Sequence, residues 1–351
     1  MAAMLWDIFC RVIDNFGDIG VCWRLSADLA GRGHQVRLWI DDASSLAWMA
    51  PDTGSVSVRP WAEAEVSPPC PGDVVVEAFG CNPPAAFVTQ MQRNTPPKWI
   101  NLEYLTAESW AEGCHGMASP HPTLPLTKYF FFPGFSAVSG GLLRERDLLR
   151  DRDEYLSIIP AAEELNISLF CYDTAPVGPL IEALAGASQP VRCHVFPGKP
   201  QKAVAACLGG SGLWQRGNAL IKPVDFVPMD EYDPLLWACD VNFVRGEDSF
   251  VRAQWAGKPF VWHVYQQEGE AHLVKLAAFL DRYCVGMETD LALIVRRMFV
   301  AWNTGGDVWV AWRDFLDRRH EIGAHNRRWA DQLASLPDLA TALVNFCAAK
   351  V

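Results

Sequence analysis

The chain has 351 residues and a formal net charge of −11, with half of its residues hydrophobic and 20% charged. At about 100–200 residues per domain this length predicts two domains, and the apolar share excludes a mainly disordered chain. The acidic balance argues against a nucleic-acid partner, which needs clustered Lys and Arg, and leaves room for a small basic pocket or a basic protein partner.

Eleven cysteines scatter from Cys10 to Cys347 with no Cys-x-x-Cys pair. That spacing reads as reduced, mostly buried thiols rather than a secreted disulfide scaffold. The opening Met-Ala-Ala-Met-Leu-Trp-Asp has no basic stretch ahead of its apolar residues, and Asp7 and Arg11 interrupt the run early. With no signal peptide and no apolar run of about 18 residues, the expectation is a soluble cytoplasmic protein without a membrane partner. The fifteen Trp and eighteen Phe are expected mostly in the core, with some left to stack a base or sugar.

In chain order, residues 5–12 form a short apolar run closed by Asp14-Asn15-Phe16-Gly17, which predicts a buried strand and a turn. Residues 19–30 place Ile19, Trp23, Ala27 and Ala30 near helical spacing before Gly31 and Gly33, and 36–40 reads as a second strand. Strand, loop, helix, strand is the unit that builds parallel sheets. Further strands are expected at 74–78, 99–102 and 129–132, with a loop-heavy stretch over 82–125. The densely charged 145–154 reads as a solvated helix or linker and is the candidate boundary. Beyond it the alternation restarts. Strands at 167–172, 191–196, 219–221, 241–244 and 259–264 interleave with helices at 177–185, 201–208, 231–238, 250–256 and 271–280, and 291–351 is mostly helical. The expected domains are 1–155 and 156–330, with 331–351 a C-terminal helix packing back on the first.

Two constellations carry chemistry. The first is Asp14-Asn15-Phe16-Gly17-Asp18-Ile19-Gly20, between the first strand and first helix. Its glycines allow tight turns and close approach by a ligand. Its carboxylates can act as a base or hold a cation, although Asp18 can equally be a helix cap. The second is Arg245-Gly246-Glu247-Asp248-Ser249 at a strand–helix junction. Free N–H groups at a helix start suit a phosphate, and Arg245 adds a charge-assisted donor. Glu247 and Asp248 fit sugar hydroxyls or the orientation of Arg245, and Ser249 fits a cap or a phosphate oxygen; a salt-bridged helix start is the plainer reading. Phe170 and Tyr172, Phe226, and Tyr265 flank this junction as aromatics able to stack on a base. Other chemistries fail on spacing. His320-Glu321-Ile322-Gly323-Ala324-His325 is not His-Glu-x-x-His, and there is no Gly-x-Ser-x-Gly elbow, Walker loop or Gly-x-Gly-x-x-Gly.

Four segments together resemble the bacterial elongation factor P arginine rhamnosyltransferases. They are Val12 to Val21, Asn101-Leu102-Glu103-Tyr104-Leu105, Lys128 to Phe135, and Asn242 to Phe250. The resemblance implies an α/β fold of GT-B type, two Rossmann-like domains facing a central cleft. It implies inverting transfer of rhamnose from dTDP-β-L-rhamnose to an arginine of elongation factor P, with the acceptor protein on the first domain and the donor on the second. It assigns Asp14, Asp18 and Glu247 to catalysis. Phe170, Tyr172, Phe226, Arg245, Asp248, Ser249, Tyr265 and Gly17 go to the donor. Met229 departs from the family, standing where a glutamine near the thymine is expected. No cofactor or metal is expected, because no Asp-x-Asp stands near the donor site and Arg245 with helix N–H groups can stabilise a leaving diphosphate. Alternative readings are a sugar-nucleotide epimerase of similar shape and a nucleotide-sensing protein without turnover.

Overall fold

Short Val-, Ile- and Leu-rich runs that bury both faces belong in parallel sheets covered by helices. The computed structural model contains two such sheets. It describes every residue except 1–2, 14–15, 161–162, 211 and 350–351, and every described side chain save that of Glu268.

The first sheet is built from β1 (Leu5–Cys10), β2 (Gln35–Ile40), β3 (Val56–Pro60), β4 (Val74–Ala78), β5 (Lys98–Leu102), β6 (Ala118–Pro120) and β7 (Thr127–Phe131). Its order is β3-β2-β1-β4-β5-β7-β6, parallel except for the β6 edge. The second comprises β8 (Leu165–Leu169), β9 (Val191–Val195), β10 (Trp214–Arg216), β11 (Ala219–Pro223), β12 (Val241–Arg245) and β13 (Phe260–His263). Its order is β10-β11-β9-β8-β12-β13, with only β10 antiparallel. Leaving out the antiparallel edge strands, both sheets begin in the middle, run outward one way, and then return to the other side. This is the doubly wound arrangement, in which ligands bind beyond the carboxyl ends of the strands where the direction reverses. Those reversal points lie between β1 and β4 and between β8 and β12.

The chain divides into a unit of Met1–Arg146 with Leu333–Val351 and a unit of Asp147–Gln332. The first boundary lies earlier than 155/156 because the Leu148–Ile158 helix packs on the second unit. There the Tyr155 ring lies 5.6 Å from Trp237, and Arg152 donates to the Trp255 carbonyl at 2.7 Å. In the first unit, Asp338 pairs with Arg32 at 2.7 Å and Leu339 N–H donates to the Leu142 carbonyl at 2.9 Å. The Phe346 ring packs on Tyr129 and Phe131 at 5.7 and 5.6 Å.

Several elements differ from expectation. The 167–172 run is a strand only to Leu169, so Phe170 and Tyr172 lie in the loop beyond it rather than at a strand's end. Besides the expected strand at 99–102, the 82–125 stretch holds the helices Ala85–Gln90 and Ser109–Cys114 and the edge strand β6. All eleven cysteines are free, and seven of them are buried. Among the described residues no helix is long and apolar enough to cross a membrane.

Asp7 is the polar hub of the first sheet. It is fully buried in β1, and its carboxylate accepts from Arg37 Nε and Nη2 at 2.6 Å each, Trp39 Nε1 at 2.7 Å and Gly72 N–H at 2.7 Å. Removing one partner of a buried pair leaves the other charge uncompensated, at a cost of about 3–5 kcal/mol. Asp7→Ala is therefore expected to lower unfolding free energy by about that amount. A shift in urea midpoint worth under about 1 kcal/mol would contradict it.

Candidate active site

The reversal point of the second sheet gathers the aromatic and basic residues singled out in the sequence. Arg245 ends β12 with only 7% of its surface exposed. Its guanidinium carbon lies 4.5 Å from the Phe170 ring centroid and 4.7 Å from that of Tyr172. Two aromatic faces favour a planar cation. The polar complement is sparse: Nη1 donates to the Cys171 carbonyl at 3.4 Å, and among the described residues Arg245 forms no ion pair. Burial holds the neighbouring Cys171 thiol up at about 12, against the pull of Arg245, so it is not a nucleophilic thiolate.

Gly246 follows with φ of 64°, a backbone state that glycine adopts without strain, and turns the chain into the Asp248–Ala256 helix. Glu247 occupies the position before that helix and makes no side-chain cap. Asp248 is paired within its own helix. It accepts from Arg252 Nε at 2.9 Å, and Arg252 also pairs with buried Asp233. It therefore orients Arg252, four residues on, and not Arg245. The Ser249 hydroxyl donates back to the Arg245 carbonyl, fixing the last residue of β12 to the helix. Tyr265, half exposed after β13, meets the Tyr172 ring edge-on at 5.5 Å. Phe226 is half exposed in the loop after β11, and Met229 opens the Met229–Ala238 helix with its carbonyl 3.4 Å from Arg252 Nη1.

Two groups here escaped the sequence reading. Lys199 starts the Lys199–Leu208 helix, with Nζ 5.5 Å from the Tyr172 ring and 3.4 Å from Asp173. His263 is buried at the end of β13, where Nδ1 accepts the Tyr172 N–H at 3.2 Å. Lys199 stands just ahead of a helical pattern, and His263 hides inside an apolar run.

At the reversal point of the first sheet the dominant side chain is an acid. Gly17 and Asp18 open the Gly17–Gly31 helix, whose cap position is Phe16. Asp18 lies inside the first turn, so the capping role considered for it does not hold. Its carboxylate, 4% exposed, accepts the Ile13 N–H at 2.9 Å and the Tyr104 hydroxyl at 3.4 Å. The Tyr104 ring stacks on Phe79 at 4.3 Å and 12°. Phe79, after β4, holds a left-handed φ of 57°, which is strained for a bulky residue. Asp14 lies outside the described residues. A cavity of about 530 Å³ elsewhere in this unit, lined by Asn82, Trp99, His121 and Lys128 among others, contains none of the expected site residues.

The comparisons with known proteins decide what this arrangement belongs to. Residues 6–348 match the family model described as elongation factor P rhamnosyltransferase EarP. The chain belongs to that family. Relatives named protein-arginine rhamnosyltransferase are 44% identical in Pseudomonas putida, over 97% of this chain and 98% of the relative, and 43% identical in Pseudomonas aeruginosa, over 98% of each. A solved structure concerned with EarP-mediated arginine glycosylation of elongation factor P matches with a TM-score of 0.72 at 34% identity, over 99% of this chain and all of that one. The glycosyltransferase VinC, solved with dTDP, matches at TM-score 0.57 and 13% identity, which shows the fold alone. The fold is α/β of GT-B type, and family membership makes the chain a glycosyltransferase rather than an epimerase or a sensor.

The electrostatics make one pH dependence testable. Burial first, then the charges of Arg245 and His272, lower the His263 pKa to about 4, with Asp173 opposing. The ordinary value is about 6.5, so on acidification the unfolded chain takes up this proton before the folded chain does. Stability from neutral His263 is full above about pH 6.5 and is lost as pH falls toward about 4. His263→Asn, which keeps an acceptor and does not titrate, is expected to flatten that limb. Equal slopes of urea midpoint against pH in the two proteins would contradict it.

Proposed function

We propose that this chain transfers rhamnose from dTDP-β-L-rhamnose to an arginine side chain of elongation factor P, in the cytoplasm where translation factors work, with inversion at the anomeric carbon. The observation that carries the reading is Arg245: a buried cation, set against two aromatic rings and without an ion pair among the described residues, at the end of β12 just ahead of a helix. Such a group is suited to a diphosphate, whose oxygens would take the donors that one carbonyl leaves unmet. Phe170, Tyr172, Phe226 and Tyr265 offer faces to the nucleotide and sugar, and Ser249 and the helix N–H groups offer donors. Asp248 contributes by holding Arg252.

The acceptor chemistry falls to the acids of the first unit. A guanidinium has a pKa above about 12, so no carboxylate deprotonates it freely at neutral pH. Proton removal has to accompany attack. One guanidinium nitrogen forms a bond to the anomeric carbon as the bond from that carbon to the diphosphate oxygen breaks. The nitrogen's proton passes to Asp18, and dTDP leaves with the electron pair. Single displacement converts a β-linked donor into an α-linked product. Asp14 helps hold the cation and Glu247 serves at the sugar. Arg245 stabilises the departing charge, so the reaction needs no metal.

Three outcomes follow from this chemistry. Arg245→Ala is expected to weaken dTDP binding by about 1.5–3 kcal/mol in calorimetry, and unchanged affinity would remove Arg245 from the donor site. Asp18→Asn keeps an acceptor for Ile13 and should melt and bind dTDP like the wild type. Its single-turnover transfer, read as a deoxyhexose mass gain on elongation factor P, should fall by roughly 10²-fold or more. Near-wild-type transfer would shift the base to Asp14 or Glu247. Transfer in excess chelator should keep most of its rate, and near-complete loss restored by magnesium would refute the metal-free mechanism.

A further inference from the structure

We propose that His263 is a positioning residue of the donor site, holding the Tyr172 backbone so that the Tyr172 ring sets the Arg245 guanidinium in place for the diphosphate. The inference rests on the reading of this sheet edge as the nucleotide site.

The topology makes the contact unusual. β13 is not a neighbour of β8, because β12 lies between them. His263 and Arg245 stand opposite one another in the β12–β13 ladder. The His263 side chain nevertheless reaches past β12 to take the N–H of Tyr172, in the loop beyond β8, at 3.2 Å. Backbone pairing joins β8 to β12 as far as the Phe170 N–H, which donates to the Phe243 carbonyl at 3.0 Å, and joins β12 to β13 as far as Arg245 and His263; the imidazole adds a side-chain tie from β13 to the loop two residues further on.

The residue is itself held from behind. Asn303, buried on the Thr289–Thr304 helix, accepts from Val264 N–H at 2.9 Å and donates to the Trp262 carbonyl at 2.7 Å. Its amide therefore pins the backbone on both sides of His263. The imidazole then meets the Tyr172 ring edge-on at 5.4 Å, and that ring faces the Arg245 guanidinium at 4.7 Å. The sequence of contacts runs Asn303, His263, Tyr172, Arg245. Accepting at Nδ1 places the proton on Nε2, which is buried with no hydrogen-bond partner among the described residues. An imidazolium would set Nδ1–H against the Tyr172 N–H, donor against donor. The low pKa of this site keeps that form scarce at neutral pH.

A histidine that only fills the core would affect stability alone, whereas a positioning residue affects donor affinity. The test compares wild type, His263→Leu and His263→Asn in thermal melts, dTDP calorimetry and steady-state transfer to elongation factor P. His263→Leu removes the acceptor for Tyr172 N–H. Its dTDP dissociation constant and donor KM should rise about tenfold, the scale of one hydrogen bond, with kcat at saturating donor within about threefold of wild type. His263→Asn, whose amide oxygen falls near the former Nδ1, should restore most of the affinity. If His263→Leu does not fold, His263→Gln takes its place, because its acceptor is displaced by one bond. Donor affinity unchanged in His263→Leu or His263→Gln, with wild-type dTDP binding intact, would overturn the inference alone. A wild-type chain that fails to bind dTDP would overturn the donor-site reading and this inference with it.

Discussion

A positive charge buried among aromatic rings, with no ion pair among the described residues, is the constraint around which the edge of the second sheet is arranged. Burying a cation is costly unless its surroundings repay the lost water. Around Arg245 the repayment comes from two ring faces and one carbonyl. The nearby acids pair with other cations: Asp248 and Asp233 face Arg252, and Asp173 pairs with Lys199 at 3.4 Å while still feeling the charge of Arg245. The Ser249 hydroxyl, the Gly246 turn and the Tyr172 N–H held by His263 all fix the geometry around this one cation. Among the described residues the guanidinium is thus left without a direct ion pair, an electrostatic state that suits an anion.

The two units share one winding and differ in the sign of the group at its reversal point. In the first, a nearly enclosed carboxylate, Asp18, sits beyond β1, with Tyr104 and Phe79 supplied from beyond β5 and β4. In the second, a nearly enclosed guanidinium stands at the end of β12. On the proposed reading, the acid suits a cationic acceptor and the permanently charged guanidinium suits a diphosphate donor. The same winding thus presents opposite charges through a few side chains at the strand ends, and fold alone does not carry function.

Much of this was legible in the sequence where a local pattern coincided with a local cause. The buried runs at 74–78 and 241–244 are strands because continuous apolar residues suit a sheet covered on both faces. The helix after Gly246 follows from its glycine turn. β3 and the Trp61–Val66 helix were not legible, since Val56–Pro60 mixes Ser, Arg and Pro with its two valines and becomes a strand only by pairing with β2. At the site, Arg245 and the aromatics stood out by type and position. The pairing of Asp248 with Arg252 carried an i,i+4 signal that could have been read. The reach of His263 past β12 and the stacking of Tyr104 on Phe79 join residues far apart in sequence, so no local pattern encodes them.

The split composition of the first unit has a consequence for how the protein is made. The second unit is one uninterrupted stretch, Asp147–Gln332, and can close as soon as it has left the ribosome. The first unit cannot. Arg32 waits for Asp338, the Leu142 carbonyl waits for the Leu339 N–H, and Tyr129 and Phe131 wait for the Phe346 ring. Until those residues are synthesised, the surface they cover is open to solvent and to other nascent chains. The portion made first is therefore the portion finished last, and its exposure time is set by the translation of the whole intervening unit.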